Sequence, residues 1–487
     1  MRSRSGHSRQ AGDTENGGGR TSGFVSVIDT SYLIWPPKRP LPRVWEAWRP
    51  SGAALADPAL ADRADPLRTV TFYTALALIF VKFGMLAEIQ GLVMHFNAYL
   101  LYIFGVPAAL GVFVAGGLRR TMAFRTARYW VAFTAWMFLC VPFSSWKGGS
   151  LMLAKSYLTN NLILMFVIAG LVVSWRECWL LVRAIAIAAI INILTGRFFA
   201  SMEGGRLSLN FSGTVGNAND YAAHLLLTLP FLLLFVYNSR SVVKRVGALL
   251  ALACGILMIV KTASRGAFIA LIVCALFAFF RGSAAQRLAM LCLVPVAMMA
   301  IPVFVSAGAL QRIVSFSSSE QDVSQEAMES SDARRYVMRK SIEYTLEFPI
   351  FGVGPGQFPG YEGAHNEVFG NHGMWHQAHD AWLQASSECG IPGAIFMLAG
   401  YISSFLLLNR TYRQAAWRSD CRDIRNTAFC VMLGMVGFLV AISFLNFAYL
   451  FYGPAMAGVA ISLWRSASYE LEHRRTGQPA SGGRSWL

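Results

Sequence analysis

Uninterrupted apolar runs, parted by short polar or basic stretches, dominate the chain between residues 70 and 464. A helix rising about 1.5 Å per residue needs roughly 17 to 25 residues to cross a hydrocarbon core. Runs near that length lie at 70–88, 97–118, 129–146, 158–175, 178–196, 219–237, 246–262, 266–280, 288–306, 391–408, 428–445 and 447–464. The pattern predicts an all-α fold, a polytopic membrane helical bundle of about twelve transmembrane helices. A membrane barrel would read instead as roughly ten-residue alternating segments, and these are missing.

Composition agrees. Of 487 residues, 55% are hydrophobic and 14% charged, whereas soluble domains carry roughly 25% charged residues. The formal charge of +16 changes the picture only through its placement. With the N-terminus assigned to the cytoplasm, most of the 42 Lys and Arg residues fall in cytoplasmic segments. Arg119, Arg120, Arg125 and Arg128 share one such loop, and Arg410, Arg413, Arg418, Arg422 and Arg425 another. This is the positive-inside bias, so the basic surplus is topogenic and predicts no nucleic-acid partner. Lys82 and Arg183 are the two basic residues placed inside spans, where snorkelling or pairing accounts for them.

Residues 1–68 are rich in Gly, Ser, Arg and Pro and read as a disordered cytoplasmic tail with no cleavable signal peptide. Within it, Trp35 to Pro50 fits either an exposed Pro-rich linker or a segment resting on anionic membrane lipids. Residues 69–465 form the membrane domain, and 466–487 a cytoplasmic C-terminal tail. Most of the eight cysteines fall in or beside spans, and Cys389 alone sits in a large external loop, which predicts no disulfide framework.

Three features face outward in this layout: a loop at 197–218, a tight turn from Thr262 to Arg265, and a loop at 307–390 containing short helices. The last is too long for a simple connection. Its Ser317 to Ser331 stretch reads as flexible, and Asp332 to Glu347 as a helix capped by Ser331 or Asp332 and stopped by Pro349. Arg335 and Arg339 lie one turn apart on that helix.

Candidate chemistry concentrates in these loops. Gly352, Gly354 and Gly356 surround Pro355 in a segment that serves as a turn or as a close approach to phosphate. His365, His372, His376 and His379 crowd together, but not with the His-Glu-x-x-His spacing of zinc ligands. One catalytic histidine among polar loop residues is the reading preferred to a metal site. Arg206, Arg265, Arg334, Arg335 and Arg339 stand on the side where positive charge is depleted. Such arginines need an anionic partner: a lipid diphosphate held by guanidinium forks, or salt bridges to Glu203, Asp332 or Glu343.

Together these residues resemble the bacterial O-antigen ligase and polymerase superfamily. Ala378-His379-Asp380-Ala381-Trp382-Leu383, followed by Glu388-Cys389-Gly390-Ile391-Pro392-Gly393, is similar to its Ala-His-Asn-x-x-Leu and Glu-x-Gly-x-x-Gly pattern. Gly216-Asn217-Ala218-Asn219 before Leu229-Pro230, Ser264-Arg265-Gly266, and an arginine helix running into Pro349-Ile350-Phe351-Gly352-Val353-Gly354 add to the resemblance. Asp380 stands where the family usually has Asn, Ala218 where Pro is common, and either Arg334 or Arg335 fits the family's helix arginine.

The resemblance implies an inner-membrane glycosyltransferase, and the charge bias with twelve alternating spans puts both termini in the cytoplasm. Such an enzyme would move a glycan from polyprenyl diphosphate to an acceptor hydroxyl, with inversion and without cofactor, metal or nucleotide. It casts His379 and Arg265 as catalytic, with Arg206, Arg334, Arg335, Arg339, Gly354 and Gly356 around the diphosphate. Asn217, Asn219 and Asp380 would be structural or orienting. A neutral imidazole, with an ordinary pKa near about 6.5, suits removal of a hydroxyl proton. The large loop between the ninth and tenth spans favours a ligase acting on a lipid A core. A polymerase extending another lipid-linked glycan is the alternative, and a lipid-linked sugar transporter a second.

Overall fold

The computed structural model describes residues 66–203, 205–209, 215–284, 286–292, 325–365, 367–368, 371–372 and 377–476, with isolated positions at 295 and 299. The expected N-terminal tail to residue 65, most of the span expected at 288–306, the loop residues 307–324, His376 and the chain after 476 lie outside the described residues.

In chain order the helices are α1 (Pro66–Phe83), α2 (Leu86–Met94), α3 (Leu100–Val114), α4 (Gly117–Met122), α5 (Arg125–Cys140), α6 (Lys147–Leu171) and α7 (Trp175–Phe199). The hairpin of β1 (Ser201–Glu203) and β2 (Arg206–Ser208) follows, pairing Glu203 with Arg206. Then come α8 (Ala218–Asn238), α9 (Val242–Lys261), α10 (Arg265–Arg281), α11 (Gln325–Glu347) and α12 (Phe358–His365). A two-residue ladder of β3 (Glu367–Val368) and β4 (Asn371–His372) precedes α13 (Ala381–Ala415), α14 (Arg422–Ile442) and α15 (Tyr452–Thr476).

Seven helical stretches among the described residues are long and apolar enough to cross a membrane: α1, α6, α7, α8, α9, α13 and the segment Ser419–Ile442 that contains α14. The runs expected at 97–118, 129–146, 266–280 and 447–464 are helical as well, as α3, α5, α10 and α15. One expectation is corrected: the helix expected from Asp332 is already formed at Gln325, so Ser331 and Asp332 lie inside it rather than at its start. The last helix continues beyond the span expected at 447–464, to Thr476.

The bundle has two distinct ends. At one, α6 ends, and its last carbonyls find side-chain donors from other helices. Arg120 donates to Gly170 O through Nη2 at 2.9 Å, Arg68 to Leu171 O at 3.1 Å, Arg465 to Ala169 O at 2.6 Å, and Ser462 to Ile168 O at 3.0 Å. Cations at a helix C-terminus also oppose its dipole favourably. Arg68 pairs with Glu177 at 2.8 Å, and Glu177 closes a capping box with Ser174 that starts α7. Trp175 Nε1 donates to Asp423, which also pairs with Arg474 at 2.9 Å. The described start at Pro66 and the described end at Thr476 therefore belong to the same end of the bundle.

The opposite end holds the candidate site. There α1 breaks at Gly84 and Met85, the latter in the left-handed region at φ 51°. The Phe83 carbonyl accepts from Asn192 Nδ2 at 2.9 Å and lies 2.9 Å from His224 Nε2, while His224 Nδ1 meets Tyr452 OH at 2.7 Å. Lys82, next to the break, lies over the Phe451 ring at 4.8 Å. Arg183, the other basic residue expected within a span, lies over Trp179 at 4.9 Å. Face contacts of this kind stabilise a cation away from bulk water.

Candidate functional site

Asn217 caps α8. Its Oδ1 accepts from the amides of Asn219 at 2.8 Å and Asp220 at 3.1 Å, which supplies acceptors for two donors left unpaired at a helix start. Asn219 Oδ1 in turn accepts from Arg206 Nη2 at 2.7 Å, and Arg206 Nε donates to Thr262 O at 2.9 Å. Arg206 thus ties the hairpin to α8 and to the turn between α9 and α10. That turn is tight because Ala263 adopts φ 48°, and Ser264 then caps α10 so that Arg265 is its first residue. The structure places Arg206, Asn217 and Asn219 beside the turn that carries Arg265.

His379 is exposed and immediately precedes the cap of α13. Asp380 Oδ1 accepts from the amides of Trp382 at 2.8 Å and Leu383 at 3.0 Å. Burial raises the Asp380 carboxyl above its ordinary range, and those two amides act against the rise. On one side of His379, Ala378 is buried in a cluster with Val337 and Tyr344 of α11. On the other, Trp382 Nε1 donates to Ser443 Oγ at 3.0 Å. Phe444, the next residue, lies so close to Gly266 that a Cβ there would meet Phe444 Cδ2 at 2.7 Å. Arg265 and His379 therefore flank the loop that follows α14.

The connector from α11 to α12 is sewn to α13 by a kink. Gly390 adopts φ 70°, and Pro392 has no N–H to give to the Glu388 carbonyl. The carbonyls so released accept from the connector: Val353 N donates to Ser387 O at 2.9 Å and Gly354 N to Glu388 O at 3.0 Å. In return Ile391 N donates to Pro349 O at 2.8 Å. The Glu388 carboxylate accepts from Gly356 N at 2.8 Å and Phe358 N at 3.3 Å. The amides of Gly354 and Gly356 are thus bonded within the protein. Gly354, at φ 111°, packs where a Cβ would overlap Ser144 Oγ.

Arg334, Arg335 and Arg339 project from α11 and are exposed. Arg335 and Arg339 share a face, while Arg334 lies about 100° away from Arg335. The helix is held by Tyr336 and Tyr344, whose hydroxyls donate to the buried Glu362 of α12. Burial, then the Glu362 carboxylate, pushes the Tyr336 phenol up, so it stays a donor. His365 stacks on Tyr361 at 4.1 Å, with Nδ1 2.9 Å from the Tyr361 carbonyl.

Sequence reasoning missed three features of this end. Glu362 gave no local signal, since its partners come from α11. Glu388 was legible only as a motif letter. Cys389, expected in an external loop, is instead buried, with its Sγ 3.3 Å from Tyr449 OH and Cys140 Sγ 3.8 Å from its carbonyl.

Helices of membrane-spanning length make this a multi-pass membrane protein. Residues 248–398 match the family model described as O-Antigen ligase, which bears out the resemblance drawn from the motifs. The match includes Arg265, α11, His379 and the kink of α13; Arg206, Asn217 and Asn219 precede it. No curated protein matches the chain significantly.

Proposed function

We propose that the protein is a glycosyltransferase of the O-antigen ligase type, which moves a glycan from polyprenyl diphosphate to an acceptor hydroxyl. The observation that carries this reading is the placement of Arg265 and His379 on either side of the Ser443–Phe444 loop, inside the O-Antigen ligase match. His379 takes the proton of the acceptor hydroxyl as its oxygen attacks the anomeric carbon. The bond from that carbon to the diphosphate oxygen breaks, with inversion. Arg265, with Arg206 and, of the α11 arginines, Arg334, stabilises the negative charge that grows on the departing diphosphate. Neither metal nor nucleotide takes part.

The orientation follows from charge. The end bearing Arg68, Arg120, Arg418 and Arg474 is the cytoplasmic one, by the positive-inside bias. A bundle of twelve spans then puts both termini in the cytoplasm and the site on the outer face of the inner membrane.

Purified protein in detergent, given a polyprenyl diphosphate-linked glycan, tests the reading. Transfer to a lipid A core acceptor is the expected result. Transfer only to a second lipid-linked glycan would make it a polymerase. Movement of the lipid-linked glycan across proteoliposomes without any transfer would overturn the enzyme reading.

A further inference from the structure

The outward face of α11 is unusual for a helix bathed in water. Arg335, Met338, Arg339, Ile342 and Leu346 fall within about 100° of arc, opposite the buried Val337, Ser341 and Tyr344. Its first half is basic and its second half apolar, and Leu346 is 71% exposed. The apolar stripe does not stop at the helix end. Ile350 is 54% exposed, and the Ile391 amide donates to Pro349 O at 2.8 Å. From Ile391 the stripe continues down α13 through Ile395, Leu398 and Ile402, all exposed on a helix of membrane-spanning length. Beside this junction Phe351 stacks on Phe143 at 4.0 Å and on Trp136 at 5.6 Å, and Phe143 and Trp146 are exposed. Aromatic side chains gather in this way at membrane–water interfaces.

We propose that α11 docks on the phospholipid leaflet bounding the site end of the bundle. Ile342, Leu346 and Ile350 enter the acyl region, and Arg335 and Arg339 sit at the level of the head-group phosphates. The occupant is fixed by continuity: the stripe is an extension of the lipid-facing side of α13. The dimensions fit as well. With the helix axis inclined to the membrane, the roughly 10 Å of helix between Arg339 and Leu346 sets Leu346 deeper than Arg339. Guanidinium forks match phosphate oxygens, so the charge at the shallow end suits head groups. The docking goes beyond the transfer reaction and does not depend on it.

Full-length protein in phospholipid nanodiscs tests this. In a background with the exposed cysteines removed by Cys254→Ala and Cys292→Ala, Ile342→Cys, Leu346→Cys and Glu343→Cys are each labelled with a fluorophore. Lipids carrying a shallow nitroxide should quench the labels at 342 and 346 at least about twofold more than the label at 343. Aqueous iodide should show the reverse order. Equal quenching at all three positions would overturn the proposal. So would shielding of 342 and 346 from both quenchers, which would mean a protein partner covers the stripe. All three positions are exposed, so the labels disturb no packing, and transfer activity does not enter the readout.

Discussion

Arg206 joins Asn219 to Thr262: Nη2 donates to Asn219 Oδ1 at 2.7 Å while Nε donates to the Thr262 carbonyl at 2.9 Å. Two donors of one planar group thus fix the hairpin against the start of α8 and the turn carrying Arg265. A lysine has the charge but not the fork. Arg206→Lys should therefore lower transfer by about tenfold or more. Asn219→Ala, which removes one acceptor and no charge, should cost less. Equal activity of Arg206→Lys and wild type, measured with saturating lipid-linked glycan, would remove Arg206 from the site.

His379 and Asp380 are neighbours with separable duties. His379→Ala should reduce transfer by about 10² to 10⁴, the usual worth of a general base. Its thermal melting should change little, because the side chain is exposed. Asp380→Asn keeps a side-chain oxygen for the amides of Trp382 and Leu383 and should keep most activity, since Asn caps as well as Asp. Asp380→Ala should lose about 1 kcal/mol of stability. A large fall in turnover for Asp380→Asn at unchanged stability would assign the carboxylate a part in the chemistry.

What the sequence shows depends on the range of the interaction. The apolar runs that become α1, α7, α8 and α9 are legible because lipid demands internally bonded helices of a set length. The caps at Asn217 and Asp380 are local and legible in the same way. The start of α11 is not, because Glu326, Ala327 and Met328 extend a helix past the polar residues that read as its cap. Nor does spacing reveal that the Glu388 carboxylate takes the amide of Gly356, 32 residues earlier. Ser443 and Phe444, which bring α10 and α13 together, carry no chemistry of their own and so give no signal.

Cys389 offers a direct check on packing at this end. It is fully buried, with Trp136 Nε1 donating to its carbonyl at 2.8 Å. A membrane-impermeant maleimide should leave Cys389 unmodified in the folded protein and modify it after denaturation. Rapid modification of the folded protein, located by mass spectrometry, would return Cys389 to an exposed loop and displace the kink with it.

Glu388 separates scaffold from chemistry. It is 2% exposed, and its carboxylate holds the amides of Gly356 and Phe358 while its carbonyl holds that of Gly354. Along α13 it lies about 13 Å beyond His379, too far for the two to act on one proton directly. Its work is to hold the connector, and through it α11 and α12, against the kinked helix. Glu388→Gln keeps one carbonyl oxygen and places an amide where the second acceptor was, leaving a buried donor facing an N–H. That should cost about 1 to 3 kcal/mol, read as a lower melting temperature. At temperatures where the variant remains folded, turnover should stay within about twofold of wild type, since no group touching substrate has changed. A Glu388→Gln protein that melts like wild type but transfers no glycan would show instead that the carboxylate acts in the reaction.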